Sequence, residues 1–122
     1  MPWRILIVDD DPTIQAAFRR LFNDQGFVVE QVTDGHQAMQ AIERDPPDLL
    51  LTDCFLPRMD GVHLCKFLRA DPRFRTLPLI LMSGRLDQEL LDLCRSFGID
   101  AAFEKTVPTD TLLREVQRLL AH

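Results

Sequence analysis

Long apolar segments, basic runs, a paired cysteine framework and a glycine-rich phosphate loop are all missing from this sequence. The longest apolar run near its start, Ile5 to Val8, falls far short of the ~20 residues a membrane span needs, and no signal-peptide pattern surrounds it. The expected location is the cytoplasm, with no membrane partner. Lysine and arginine number 14 against 19 acidic residues, for a formal net charge of -5. Binding to a phosphate backbone needs the opposite balance, so direct contact with nucleic acid is not expected. Cys54, Cys65 and Cys94 are odd in number, widely spaced and flanked by apolar residues, which fits neither disulfides nor a zinc motif. They read as reduced, mostly core residues.

What is present is the composition of a globular protein: 46% hydrophobic and 27% charged residues over 122 positions. A chain of this length buries roughly two-thirds of its unfolded surface, enough for one core without staples. No linker interrupts it, so residues 1–122 are expected to form a single domain.

Apolar runs and helical periodicity alternate along the chain. Trp3 to Val8 is a continuous, β-branched-rich run that stops at Asp9-Asp10-Asp11-Pro12, which predicts a buried strand feeding a helix. Asp11 can cap that helix and Pro12 suits its first turn, while Ile14, Ala17, Phe18, Leu21 and Phe22 supply an apolar stripe up to Gly26. The same grammar recurs: Phe27 to Thr33 is strand-like, and Asp34 caps a helix through Ala38, Ala41 and Ile42 that Pro46-Pro47 ends. Asp48 to Asp53 is a third strand, and Asp60-Gly61 opens a helix carrying Leu64, Cys65 and Leu68 that closes near Pro72. Leu79 to Met82 is a fourth strand; a helix with Leu86, Leu90, Leu93, Cys94 and Phe97 follows and runs to Gly98. A weak strand, Ala101 to Glu104, precedes a last helix lined by Leu112, Leu113, Val116, Leu119 and Leu120.

Five strands alternating with five helices predict a doubly wound α/β domain, because parallel neighbours need helical crossovers and strands covered on both faces read as unbroken apolar runs. Ligands in such sheets gather at the carboxyl ends of the strands. Asp9 and Asp10, Asp53, Ser83 and Lys105 close four of the five strands and therefore converge on one rim. Each alone reads as a cap, a turn or a surface charge. Together, three crowded carboxylates repel one another unless a cation offsets them, and a hard divalent ion such as Mg²⁺ suits an all-oxygen site of few direct ligands. Lys105 can then counter added phosphoryl charge, and the Ser83 hydroxyl can donate to it.

Asp9-Asp10, then Asp53 with Leu56-Pro57-Arg58-Met59-Asp60-Gly61 behind it, then Ser83-Gly84 and Lys105, together resemble the signature of response-regulator receiver domains. The resemblance to these chemotaxis-regulator-like phosphoacceptors spans essentially the whole chain. It implies a flavodoxin-like fold with sheet order 2-1-3-4-5 flanked by five helices. It also implies that Asp53 takes a phosphoryl group from a phosphohistidine on a histidine kinase or histidine phosphotransfer protein. The receiver then catalyses its own aspartyl phosphorylation and dephosphorylation, turns over no small substrate, and switches an unidentified downstream effector. By matching position, Asp10 and Asp53 would coordinate Mg²⁺, or Mn²⁺ in its place, directly. Asp9 would act through water, and the backbone carbonyl of Phe55 would complete the ligands. Ser83 and Lys105 would hold the phosphoryl oxygens.

The chain departs from the family pattern in places. Thr106 follows Lys105 where the family usually has proline after a cis bond; a cis bond before a non-proline residue costs about 2.5–4 kcal/mol, so a trans, shifted loop or a strained one is expected. Ala102 stands where an aromatic residue is common, with Phe103 on the other side of the strand. Phe55 and Arg85 occupy positions that tune hydrolysis in the family. Three other readings compete: a haloacid-dehalogenase-like phosphohydrolase, which needs an acid where Phe55 stands; a flavodoxin-like cofactor binder, which needs a phosphate loop; and a degenerate receiver used only for docking. His36, His63 and His122 lack metal or triad spacing and read as structural, and Trp3 and the phenylalanines as core or edge packing.

Overall fold

A computed structural model describes residues 2–121. Among the described residues the apolar runs form five strands and the periodic segments five α-helices. In chain order these are β1 (Arg4–Val8), α1 (Pro12–Asp24), β2 (Val28–Val32), α2 (Gly35–Arg44), β3 (Leu49–Asp53), α3 (Gly61–Ala70), β4 (Leu79–Ser83), α4 (Gln88–Ser96), β5 (Ala101–Glu104) and α5 (Thr109–Leu120). The strands pair in parallel in the order β2-β1-β3-β4-β5, the doubly wound, flavodoxin-like topology.

Strand periodicity sorts the apolar side chains into two cores. Leu6, Val8, Leu50, Leu79 and Leu81 face α2, α3 and α4 through Ala38, Ile42, Leu64, Leu68 and Cys94. Ile5, Ile7, Leu49, Leu51, Ile80 and Met82 face α1 and α5 through Phe22, Leu112 and Val116. Both faces of β3 and β4 are fully covered, which is why these strands read as unbroken apolar runs. The winding reverses between β1 and β3, and their carboxyl ends open the crevice in which such sheets place ligands.

Aspartate starts four helices. Asp11, Asp34, Asp60 and Asp87 accept from the backbone N–H of Thr13, Gln37, His63 and Leu90, each cap contributing about 1 kcal/mol. The strands are shorter than the sequence suggests: Trp3, Phe27, Thr33 and Asp48 fall outside them. Ala17 is exposed although it keeps helical spacing with the buried side of α1. Leu86 precedes α4, and Leu93 is 41% exposed, so only Cys94 of that predicted stripe is fully buried. Nor do all the aromatic residues pack inside: Trp3, Phe55 and Phe67 are 48%, 73% and 54% exposed.

Candidate functional site

Parallel pairing carries four strand ends to one rim. Val8 is level with Thr52, which sets Asp9 beside Asp53; Asp53 is level with Met82, and Ser83 with Glu104. The Lys105 N–H donates to the Ser83 carbonyl at 2.8 Å and so extends β5 by one residue. Carboxylate oxygens of Asp9, Asp10 and Asp53 lie within 4.8 Å of one another. Asp9 and Asp53 are buried, whereas Asp10 opens to solvent.

Lys105 closes the group from the β5 side, its Nζ 3.0 Å from Asp53 Oδ2 and 3.3 Å from Asp9 Oδ2. Burial pulls its ammonium down, but the hydrogen bond and charge of Asp53, seconded by Asp9, outweigh this and hold it above the ordinary lysine value. Burial pushes the Asp9 carboxyl above its ordinary range, aided by the Asp53 charge, while the Asp11 N–H and Lys105 oppose the rise. One lysine facing three carboxylates leaves a surplus of negative charge in a partly dry site, open at Asp10. This all-oxygen donor set fits a hard divalent cation that keeps part of its water.

The Lys105–Thr106 bond is trans, since no described peptide bond is cis, and Lys105 nevertheless reaches Asp53. Ala102 packs with the core beneath α4 and Phe103 with the opposite core, as strand alternation requires. Ser83 is fully buried at the rim, but its hydroxyl donates to the Arg85 carbonyl at 2.8 Å and accepts from the Arg85 N–H at 3.3 Å. It is therefore engaged with the β4–α4 loop instead of pointing freely over Asp53. Phe55 and Arg85 line a shared cleft with Asp60, His63 and Leu90, and the exposed Phe55 ring supplies no acid two residues after Asp53.

The loop after Asp53 shows why its sequence is constrained. A Cβ on Gly61 would collide with the Asp53 carbonyl oxygen, and one on Gly35 with the Met59 carbonyl oxygen. Arg58 adopts a left-handed φ of 69°, uncommon without glycine, and its guanidinium lies 3.8 Å from the Asp34 carboxylate. Sequence reasoning missed Gly35 and also Gln15, whose amide holds the Asp9 backbone. It missed Glu104 as well, whose carboxylate accepts the Leu86 N–H at 3.1 Å. His36 lies on α2, and His63 on α3 with Nδ1 2.8 Å from Asp60; neither meets the acidic group, and His122 lies outside the described residues.

Residues 5–117 match the family described as the response regulator receiver domain. Response regulator MprA of Mycolicibacterium vanbaalenii is 34% identical over 116 residues, which are 95% of this chain and 48% of that protein. The DNA-binding response regulator MtrA of Mycolicibacterium smegmatis is 32% identical over 98% of this chain and 51% of its own. The chain thus spans about half the length of these curated relatives. Among solved structures, the receiver domain of a sensor histidine kinase of Pseudomonas aeruginosa PAO1 superposes with a TM-score of 0.90 and 30% identity over all of both chains. That receiver has a magnesium ion coordinated in its active-site cleft. The chain belongs to the response regulator receiver domain family, the phosphoacceptor domains of two-component signalling. Receivers of this family work with histidine kinases.

Proposed function

We propose that Asp53 is the phosphoacceptor, that Asp10 and Asp53 bind Mg²⁺ or Mn²⁺ directly with Asp9 acting through water and the Phe55 carbonyl as a further ligand, and that Ser83 and Lys105 receive the phosphoryl oxygens. The observation that carries this reading is the contact of Lys105 with Asp53 beside the acidic cluster. It joins a nucleophile to the cation that can follow its charge.

A carboxylate oxygen of Asp53 attacks the phosphorus of a partner's phosphohistidine. The new O–P bond replaces the P–N bond, whose electron pair returns to the imidazole nitrogen, and solvent protonates that nitrogen. A divalent ion held by Asp10 and Asp53, with Asp9 acting through water, would supply positive charge to offset the anionic phosphoryl group. Lys105 shifts from the carboxylate to a phosphoryl oxygen, and Ser83 turns its hydroxyl from Arg85 to another. Transfer depends mainly on positioning and on fixed cationic charge, which these side chains provide. On the same reading the domain catalyses its own dephosphorylation: water attacks the phosphorus, the Asp53 O–P bond breaks, and inorganic phosphate leaves as Asp53 returns to its carboxylate.

The donor is a histidine kinase or a histidine phosphotransfer protein, and the altered β4–α4 loop is read by a downstream effector. The 122 residues act as one receiver unit in the cytoplasm, a location supported by three unpaired buried cysteines. On this reading the domain's partners are proteins and not nucleic acid or membrane. Among the described residues no helix is long and apolar enough to cross a membrane. Borohydride reduction after phosphorylation by phosphoramidate tests the acceptor, because an aspartyl phosphate is reduced to homoserine. Peptide mapping should place that homoserine at position 53. Placement at position 9 or 10, or no reduction product, contradicts the reading.

A further inference from the structure

Gln15 lies on the second turn of α1, half-buried beside the acidic rim. Its side-chain amide nitrogen donates to the backbone carbonyl of Asp9 and, at 2.7 Å, to that of Val32 at the end of β2. A primary amide has two N–H groups, and both are used here. The Val32 carbonyl also accepts the Asp9 N–H at 3.2 Å, so Gln15 ties β1 to β2 at the point where the acidic pair leaves the sheet. Gln15 is itself braced. Its backbone carbonyl accepts from the Gln31 side-chain amide at 2.5 Å, and Gln31 Oε1 accepts from Arg19 Nε at 2.7 Å.

The carbonyl that Gln15 grips belongs to the peptide joining Asp9 to Asp10. Holding that peptide plane sets the direction in which the Asp10 side chain departs. Asp9 is fixed a second time, since its Oδ1 accepts the Asp11 N–H at 2.9 Å. Asp10, being exposed, lacks the surrounding core that would orient its carboxylate by packing. Mg²⁺ demands near-ideal octahedral geometry at short distances, so a ligand's approach angle matters to affinity.

We propose that Gln15 is a positioning residue of the metal site, orienting Asp10 by clamping the Asp9 carbonyl. The inference rests on the reading that Asp10 and Asp53 hold the cation. A plain helix-to-strand clasp would add stability and nothing more, so the test must separate stability from metal affinity.

Gln15→Met keeps the length of the side chain and removes both donors. Mg²⁺ titrations followed by amide NMR are run on the parent, Gln15→Met, Asp10→Asn and Val116→Ala, the last loosening the core away from the rim. Gln15→Met should weaken Mg²⁺ about tenfold, at the lower edge of what removing a ligand's supporting partner costs. Val116→Ala should bind like the parent. Parent-like affinity in Gln15→Met, with binding lost in Asp10→Asn, overturns the inference and leaves the metal site intact. Affinity loss of equal size in Val116→Ala also overturns it, because general loosening then suffices. Parent-like affinity in Asp10→Asn overturns the metal site itself. Should Gln15→Met not fold, Gln15→Asn keeps the amide but shortens its reach: a partial loss supports the role, and parent affinity refutes it.

Discussion

Lys105 reaches Asp53 across the top of β4, Nζ to Oδ2 at 3.0 Å, although Thr106 follows it and the intervening peptide bond is trans. The strand register explains this. The Lys105 N–H is bound to the Ser83 carbonyl, so the sheet sets where the lysine starts and the following residue does not. Lys105→Met should therefore destabilise the metal-free protein by about 2 kcal/mol, less than the ~3–5 kcal/mol for a fully buried pair because this ammonium is partly exposed. Added Mg²⁺ should recover much of that loss by taking over the charge compensation. Urea unfolding with and without Mg²⁺ checks this; a variant as stable as the parent without metal means that Lys105 does not offset the carboxylates.

Asp10 is the open member of the acidic group, and its removal should separate binding from folding. Asp10→Asn is expected to lower Mg²⁺ affinity by more than tenfold, while thermal unfolding without metal changes little or improves as repulsion is relieved. Amide NMR is the right probe. Trp3 lies at the opposite pole of the sheet, beside Asp48, Asp100 and Leu120, and should report little. Unchanged affinity in Asp10→Asn contradicts the ligand assignment.

Much of this architecture was legible because parallel strands covered on both faces leave unbroken apolar runs, and because aspartates cap the helices. The site was legible as the set of polar residues closing those runs. What escaped were relationships made by tertiary contact. Gln15 is an uncharged residue on a helix and gives no pattern signal, yet its amide spans two strand ends. Gly35 matters only because a remote loop brings the Met59 carbonyl against it. Leu93 keeps helical spacing but lies on the face of α4 that turns to solvent. The strand position of Ser83 was legible, whereas the turn through Arg85 that engages its hydroxyl was not.

That capture makes a prediction about signalling. For Ser83 to meet a phosphoryl oxygen it must release the Arg85 carbonyl, and the next residue, Leu86, is tied to β5 through the Glu104 carboxylate. A ligand shifts an equilibrium by binding one arrangement better, so the change should centre on Gly84 to Asp87 and the start of α4. Ala102 has no side-chain rotamer to switch, and β5 around it should respond little. Amide shifts with and without a beryllofluoride mimic decide the point: changes centred on residues 101–103, with residues 84–87 silent, would refute it.

The three thiols should be inert at neutral pH. Burial pushes Cys54 up to about 11 and Cys65 up to about 12, and it raises Cys94 as well. Because the folded values exceed the ordinary 9.0, this contribution to stability is complete below pH 9 and is lost as pH rises through about 11 and 12. Unfolding midpoints should fall on that alkaline limb, and less steeply in Cys65→Ala. A fast native reaction with a thiol reagent at neutral pH would contradict the account.

Intact-mass analysis after incubation with phosphoramidate reads directly whether Asp53 carries the phosphoryl group with the help of a divalent ion. The parent should gain one phosphoryl group with Mg²⁺ and none when the metal is chelated, and Asp53→Asn should gain none. A phosphoryl group that survives Asp53→Asn, or that arrives equally fast without metal, would contradict this expectation.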